Sequence, residues 1–338
     1  MKYQAIPNTL FIKNRQKFTA QMISGSLAVF NSNDIYPVSA DSTLPFAQHS
    51  DILYLSGADQ EESILLLFPD ALNPAHREIL FVRETNEHLA ACDGAKYTKE
   101  KATAISGIQT IMWLSDFDKV FFDLMTEAHT IYFNTNEHYR QAVETQTRED
   151  RFIIKCKAQF PAHQWQKSQP ILQEIRGVKE AEEIAQMQAA CNITGKGIRR
   201  LLGFIKPGVW EYEIEAELLH EFVRNRSKGF AYTPIIASGA NANVLHYIEN
   251  NRPCNDGDLV LFDLLVGLEG LVHAGSLTLV KVLGNFSGLV HVGLEVCWLS
   301  QLEHVCVESW HLWPNEVKKI SLLHVVTLDA NWDLLVEE

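Results

Sequence analysis

Short apolar runs broken by glycine, proline and polar clusters dominate the first part of the chain and predict buried strands. Ser26 to Phe30, Ile52 to Leu55, Ser63 to Phe68, Glu78 to Val82 and Thr130 to Phe133 each read as a strand, with Asn73-Pro74 as a turn before the fourth. Phe11 to Met22 is helix-prone, and Lys99 to Ser106 predicts a short helix stopped by Gly107. These elements predict an α/β unit over residues 1–170. From Arg148 to Gln169 the chain is polar with interspersed aromatics and reads as a link to a second unit over residues 171–338.

Helical periodicity then takes over. Leu172 to Glu180 opens a helix, and Ile184, Met187, Cys191, Thr194, Ile198 and Leu201 continue one stripe at three–four spacing until Pro207-Gly208. Ile214, Leu218 and Phe222 mark a further helix. Its Glu211, Glu213, Glu215 and Glu217 alternate along the chain, which spreads them around the helix and predicts a solvated face rather than a metal cage.

Next comes a strand–turn–strand pattern over FAYTPIIASGANANVLHYIENNRPCNDGDLVLFDL, residues 230–264. Tyr232 to Ala237 is a β-prone run that stops at Ser238-Gly239, and Val244 to Tyr247 is a second short run. Asn255-Asp256-Gly257-Asp258 predicts a tight turn into Leu259 to Phe262, and Asp263 closes that run. A carboxylate at the end of an apolar strand is costly to bury unless a cation or hydrogen bonds satisfy it. Asp263 therefore reads either as a metal ligand or as a turn or capping aspartate. His246 and Asp263 fall on adjoining predicted strands, which puts them within reach of each other.

Composition narrows the function classes. The chain has 338 residues, 46% hydrophobic and 21% charged, enough for two separate cores. A formal charge of −13 argues against nucleic acid, which needs a basic footprint. No apolar stretch reaches membrane-spanning length, and the residues after Met1 lack an apolar signal core. The six cysteines, at 92, 156, 191, 254, 297 and 306, are scattered without a Cys-x-x-Cys pair, as expected of reduced thiols in a cytoplasm.

The 230–264 stretch resembles the pita-bread metallopeptidases, specifically the branch holding the Xaa-Pro aminopeptidases and prolidases. That branch reads approximately Ile-x-Ala-Ser-Gly-x-Asn, then Leu-His-Tyr, then Gly-Asp-Leu-Val-Leu-hydrophobic-Asp. Phe46 to Gly57 is similar to the family's Phe-Arg-Gln-x-Ser-Asp-x-x-Tyr-Leu-x-Gly, with Ala47 in place of the arginine. Within it His49 and Asp51 read as exposed loop residues. Ile175-Arg176 through Thr194, including Glu183-Ile184, is similar to the start of the family's catalytic domain.

The resemblance implies an α/β fold: a creatinase N-terminal-like domain with a mixed sheet, then a pita-bread domain whose curved antiparallel sheet has helices behind it. It implies hydrolysis of the bond between an N-terminal residue and a following proline in peptides, by a manganese-dependent aminopeptidase that forms a homo-oligomer. It implies Asp263 as a metal ligand and His246 as the catalytic group beside the substrate.

Beyond Asp263 the sequence departs from the family. Ser276 stands where a second metal aspartate is usual, and Gly288 to Cys297 is similar to the ligand-histidine segment, with His291 matching the ligand. Val326 to Asp329 is similar to a segment that presents a metal glutamate, making Asp329 its shortened substitute, and Asn331 or Trp332 falls where the last glutamate belongs. The helical stretch between these landmarks is nearly missing, so the second domain is expected to be incomplete. With Asp263, His291 and Asp329 as the ligand set, the charge suffices for at most one Mn2+. A metal-free, creatinase-like hydrolase using His246 and a non-catalytic interaction protein are the alternatives.

Overall fold

The computed structural model describes residues 5–135, 145–268, 272–282 and 289–295. In chain order the helices are α1 (Asn8–Thr19), α2 (Ser50–Ser56), α3 (Glu87–Asp93), α4 (Lys99–Ser106), α5 (Phe117–Glu127), α6 (Arg148–Gln159), α7 (Gln169–Gly177), α8 (Ala181–Phe204) and α9 (Glu211–Arg224). The strands are β1 (Ser26–Asn31), β2 (Pro37–Ser39), β3 (Ser42–Thr43), β4 (Ile64–Leu67), β5 (Glu78–Val82), β6 (Thr110–Trp113) and β7 (Thr130–Phe133). They continue as β8 (Gln164–Lys167), β9 (Gly229–Phe230), β10 (Ile235–Ser238), β11 (Leu259–Leu268), β12 (Val272–Val282) and β13 (Leu289–Glu295).

The chain divides into two units. The first is Met1–Ala190 with Asn225–Lys228 and Gly267–Val272; the second is Cys191–Arg224, Gly229–Val266 and His273–Glu338. In the first unit a mixed sheet runs in the order β6-β5-β4-β1-β7-β8. Strand β1 is antiparallel to β4 and parallel to β7. It is buried along its whole length because both faces are covered. Ala28 and Phe30 enter one core with Phe18, Tyr54 and Leu80, while Leu27 and Val29 enter the other with Phe81, Phe121 and Ile131. Strands buried on both faces read as continuous apolar runs, which is why they were legible.

Several local expectations fail here, each for a physical reason. Ile52 to Leu55 is helical, not extended, within α2. The His49 side chain caps the helix by accepting from the Asp51 N–H, and Gly57 closes it at φ 68°, a left-handed conformation that suits glycine. The polar 148–169 segment is no link. Thr147 and Asp150 form a reciprocal capping box that starts α6, and β8 extends the sheet by pairing in parallel with β7. Helix α7, assigned from residue 171 to the second domain, sends Ile171, Leu172 and Ile175 into the core that holds Tyr54. The long stripe from Leu172 to Leu201 is two helices, α7 and α8, interrupted at Val178–Glu180.

In the second unit β10, β11, β12 and β13 lie side by side, with β9 also pairing to β11; β10–β11 and β12–β13 are antiparallel. Helix α9 buries Ile214, Leu218 and Phe222, the predicted stripe. A Cβ at Gly197 of α8 would come within 2.7 Å of the Phe222 ring, so the close approach of these helices needs a glycine. The α/β class, with a mixed N-terminal sheet and an antiparallel sheet after it, is the expected one.

Candidate functional site

Asp263 and the loop that carries His246 lie on one face of the second sheet. Uninterrupted register sets Ile235 opposite Asp263, Ile236 opposite Phe262 and Ala237 opposite Leu261. Directly opposed residues share a face and alternate residues return to it, so Ile235, Ala237, Leu261 and Asp263 lie on the same side. Asp263 does not end its strand as expected but sits mid-strand in β11, because the strand continues to Leu268. Its carboxylate is partly exposed and accepts a hydrogen bond from the Tyr232 hydroxyl at 2.5 Å.

The segment that carries His246 differs from the one the sequence predicted. Val244 to Tyr247 is not a strand: a 3-10 turn over Gly239–Asn243 leads into a turn that leaves Val244, Leu245 and His246 exposed. Tyr247 alone in that run is buried. Its ring packs with Ile235 and Ala237, and partly buried Leu261 joins them, so the His246 loop lies on the Asp263 face. The loop is fixed from below by Asn250, whose side chain accepts from the Ile236 N–H at 3.1 Å and donates to the Pro234 carbonyl at 3.1 Å.

Glu211 overturns the solvated-face expectation. It is fully buried at the start of α9. One carboxylate oxygen accepts from the Ser238 N–H at 2.6 Å and from the Ser238 hydroxyl at 2.7 Å. The other accepts from the Tyr247 hydroxyl at 2.7 Å and the Arg252 N–H at 2.9 Å. Burial and the bond to Glu211 raise the Tyr247 phenol above its ordinary range. The remaining glutamates are also employed: Glu215 accepts from Asn250, and Glu217 pairs with Arg200 at 2.5 Å. Sequence reasoning missed Glu211 because its partners lie 27 to 41 residues away. The one local hint was a glutamate at a helix N-terminus, where donors gather.

Of the remaining predicted site positions, His291 lies on β13 opposite Val280, and Ser276 lies on β12 opposite Glu295. Asp329 lies outside the described residues, as do Cys297, Asn331 and Trp332. Among the described residues no three His, Cys, Asp or Glu side chains are grouped to hold a metal ion. Of the three predicted ligands, Asp263 is the one whose side-chain surroundings the structure describes, and a hard divalent cation completes its shell of six or more oxygens partly with water. No helix among them is long and apolar enough to cross a membrane.

His49 and Asp51, read as exposed loop residues, are instead built into the first unit. Asp51 is buried and pairs with Arg176 at 2.5 Å; the Arg176 guanidinium also lies over the Tyr54 ring, 5.1 Å from its centre. Burial lowers the His49 imidazole below its usual range and so favours the neutral ring, in which Nδ1 can accept from the Asp51 N–H.

Two family profiles match the chain in sequence order. That of the aminopeptidase P N-terminal domain covers residues 11–132, and that of metallopeptidase family M24 covers residues 185–303. The Xaa-Pro aminopeptidase of Haemophilus influenzae is 31% identical over 274 residues, covering 81% of this chain and 60% of that protein. Human Xaa-Pro aminopeptidase 3 is 27% identical over 249 residues, covering 73% of this chain and 48% of that protein. Among solved structures, aminopeptidase P of Escherichia coli in its low-pH form superposes with a TM-score of 0.72 at 26% identity, over 83% of this chain and 63% of that one. Proline aminopeptidase P II of Yersinia pestis gives 0.70 at 26% identity, over 81% and 62%. The chain thus spans between about half and three-fifths of the length of these curated relatives.

Proposed function

The chain belongs to the aminopeptidase P branch of the M24 metallopeptidase family, and from that premise we propose that it removes the N-terminal residue from peptides whose second residue is proline. The observation that carries the reading is Asp263, a partly exposed carboxylate in the middle of an apolar strand, on the face over which the His246 loop is laid. An Xaa-Pro bond is a tertiary amide without an N–H. Recognition must therefore fall on the carbonyl and on the ring. In this reading a ring N–H of exposed His246 donates to the scissile carbonyl, and exposed Val244 and Leu245 give apolar surface beside the proline.

Asp263, His291 and Asp329 are the proposed positions for at most one divalent ion. Manganese suits a carboxylate and imidazole donor set. A cytoplasmic setting is supported by free Cys156, Cys191 and Cys254, and the homo-oligomer remains part of the proposal. The experiment is turnover of an Xaa-Pro dipeptide alongside manganese titration of the chain, Asp263→Ala and Ser276→Asp. The expected result is one weak site, lost in Asp263→Ala and strengthened in Ser276→Asp, with His246→Ala lowering kcat at least a hundredfold. Two tight sites, or binding unaffected by Asp263→Ala, would refute the ligand assignment. Turnover without bound metal would favour the metal-free hydrolase.

A further inference from the structure

We propose that Glu211 is the positioning residue of the His246 loop, a role that rests on His246 being the group that faces substrate. Three features argue for it. First, the bonds of Glu211 are distributed along the loop: Ser238 is where β10 ends and the loop begins, Arg252 is where it leaves, and Tyr247 is its middle. One rigid carboxylate at a helix start therefore fixes entry, midpoint and exit together.

Second, Tyr247 is the buried apolar anchor beside the loop's exposed tip, with partly buried Ala242 packed against the same cluster. Val244, Leu245 and His246 are all exposed, so the tip is held through Tyr247, buried against Ile235 and Ala237 with its hydroxyl on Glu211. The same hydroxyl accepts from the Asn251 N–H at 3.2 Å, which joins the tip to the exit of the loop. Third, Glu211 is satisfied by two backbone N–H groups and two hydroxyls. Such donors have fixed directions, and a carboxylate that takes them orients the backbone carrying them.

The consequence is a loop pre-ordered before substrate arrives, which spares the ordering of His246 at the moment of binding. Tyr247→Phe removes the midpoint bond and leaves the bonds to Ser238 and Arg252. Glu211→Gln keeps one acceptor oxygen, and Glu211→Ala removes all four bonds.

The test uses the full chain and three readouts. Amide exchange over residues 244–252 should rise about tenfold in Tyr247→Phe relative to β11, and further in Glu211→Ala, with Glu211→Gln between them. The ring NMR resonances of His246 should move in Tyr247→Phe while those of His220, exposed on α9, stay in place. On an Xaa-Pro dipeptide, Tyr247→Phe should lower kcat about tenfold with KM held. Unchanged exchange and unmoved His246 resonances would overturn the positioning role, as would a rise in KM with kcat unchanged. Absence of turnover in the parent chain would refute the peptidase reading alone, and exchange and ring resonances would then decide the role of Glu211.

Discussion

The two units bury a carboxylate by opposite means. In the first, Asp51 faces a cation: Arg176 lies against it, and the pair ties α2 to α7 across 125 residues of sequence. In the second, Glu211 faces neutral donors and holds a loop instead of a helix. The contrast is one of direction. A guanidinium attracts a carboxylate from many angles and fastens two packed elements together, whereas N–H and O–H donors fix orientation. Charge pairing serves the scaffold, and directed hydrogen bonding serves the candidate site.

This contrast predicts a ranking. Glu211→Ala strands four donors at one buried point and should cost about 4 kcal/mol in chemical denaturation. Asp51→Ala leaves Arg176 without its partner. Because that side chain is 26% exposed, water compensates in part, and a loss of about 2 kcal/mol is expected. If Asp51→Ala costs more than Glu211→Ala, the distinction between fastening and orienting fails.

A third buried carboxylate sharpens the comparison through pH. Glu149 accepts from the Asn31 amide at 2.7 Å and the Asn134 N–H at 3.3 Å, and burial pushes its carboxyl up to about 7 despite those bonds. A folded-state value above the unfolded one favours the protonated native form. The stability it contributes is full below about 4.5, declines as pH rises to about 7, and stays at its floor above that. Glu149→Gln should remove that slope and leave the low-pH stability nearly unchanged. An unaltered slope between these pH values would show that the burial of Glu149 does not set it.

What was legible in the sequence follows from where information about burial resides. The strands β1, β4, β5 and β7 were readable because each is apolar on both faces. Helix α2 was not: Asp51 through Ser56 are all buried, so burial leaves no helical period in the pattern. Its visible signal was Gly57. The edge strand β8, QWQK, is mostly exposed and read as a link, although Thr147 and Asp150 carried a capping-box signal for the helix before it. At the site, Asp263 was legible as a charge in an apolar run, but its mid-strand place depended on residues beyond that run. The run Val244–Tyr247 resembled a strand by composition and is a loop, because three of its four residues find no apolar cover.

In the proposed reading Asp263 and the His246 loop share one working face. The most direct measurement is paramagnetic broadening by manganese of the His246 ring resonances, in the parent chain and in Asp263→Ala. Selective broadening of His246 over His220 is expected at substoichiometric manganese, and it should be abolished in Asp263→Ala. Equal broadening of both rings, or broadening of His246 that survives Asp263→Ala, would contradict it.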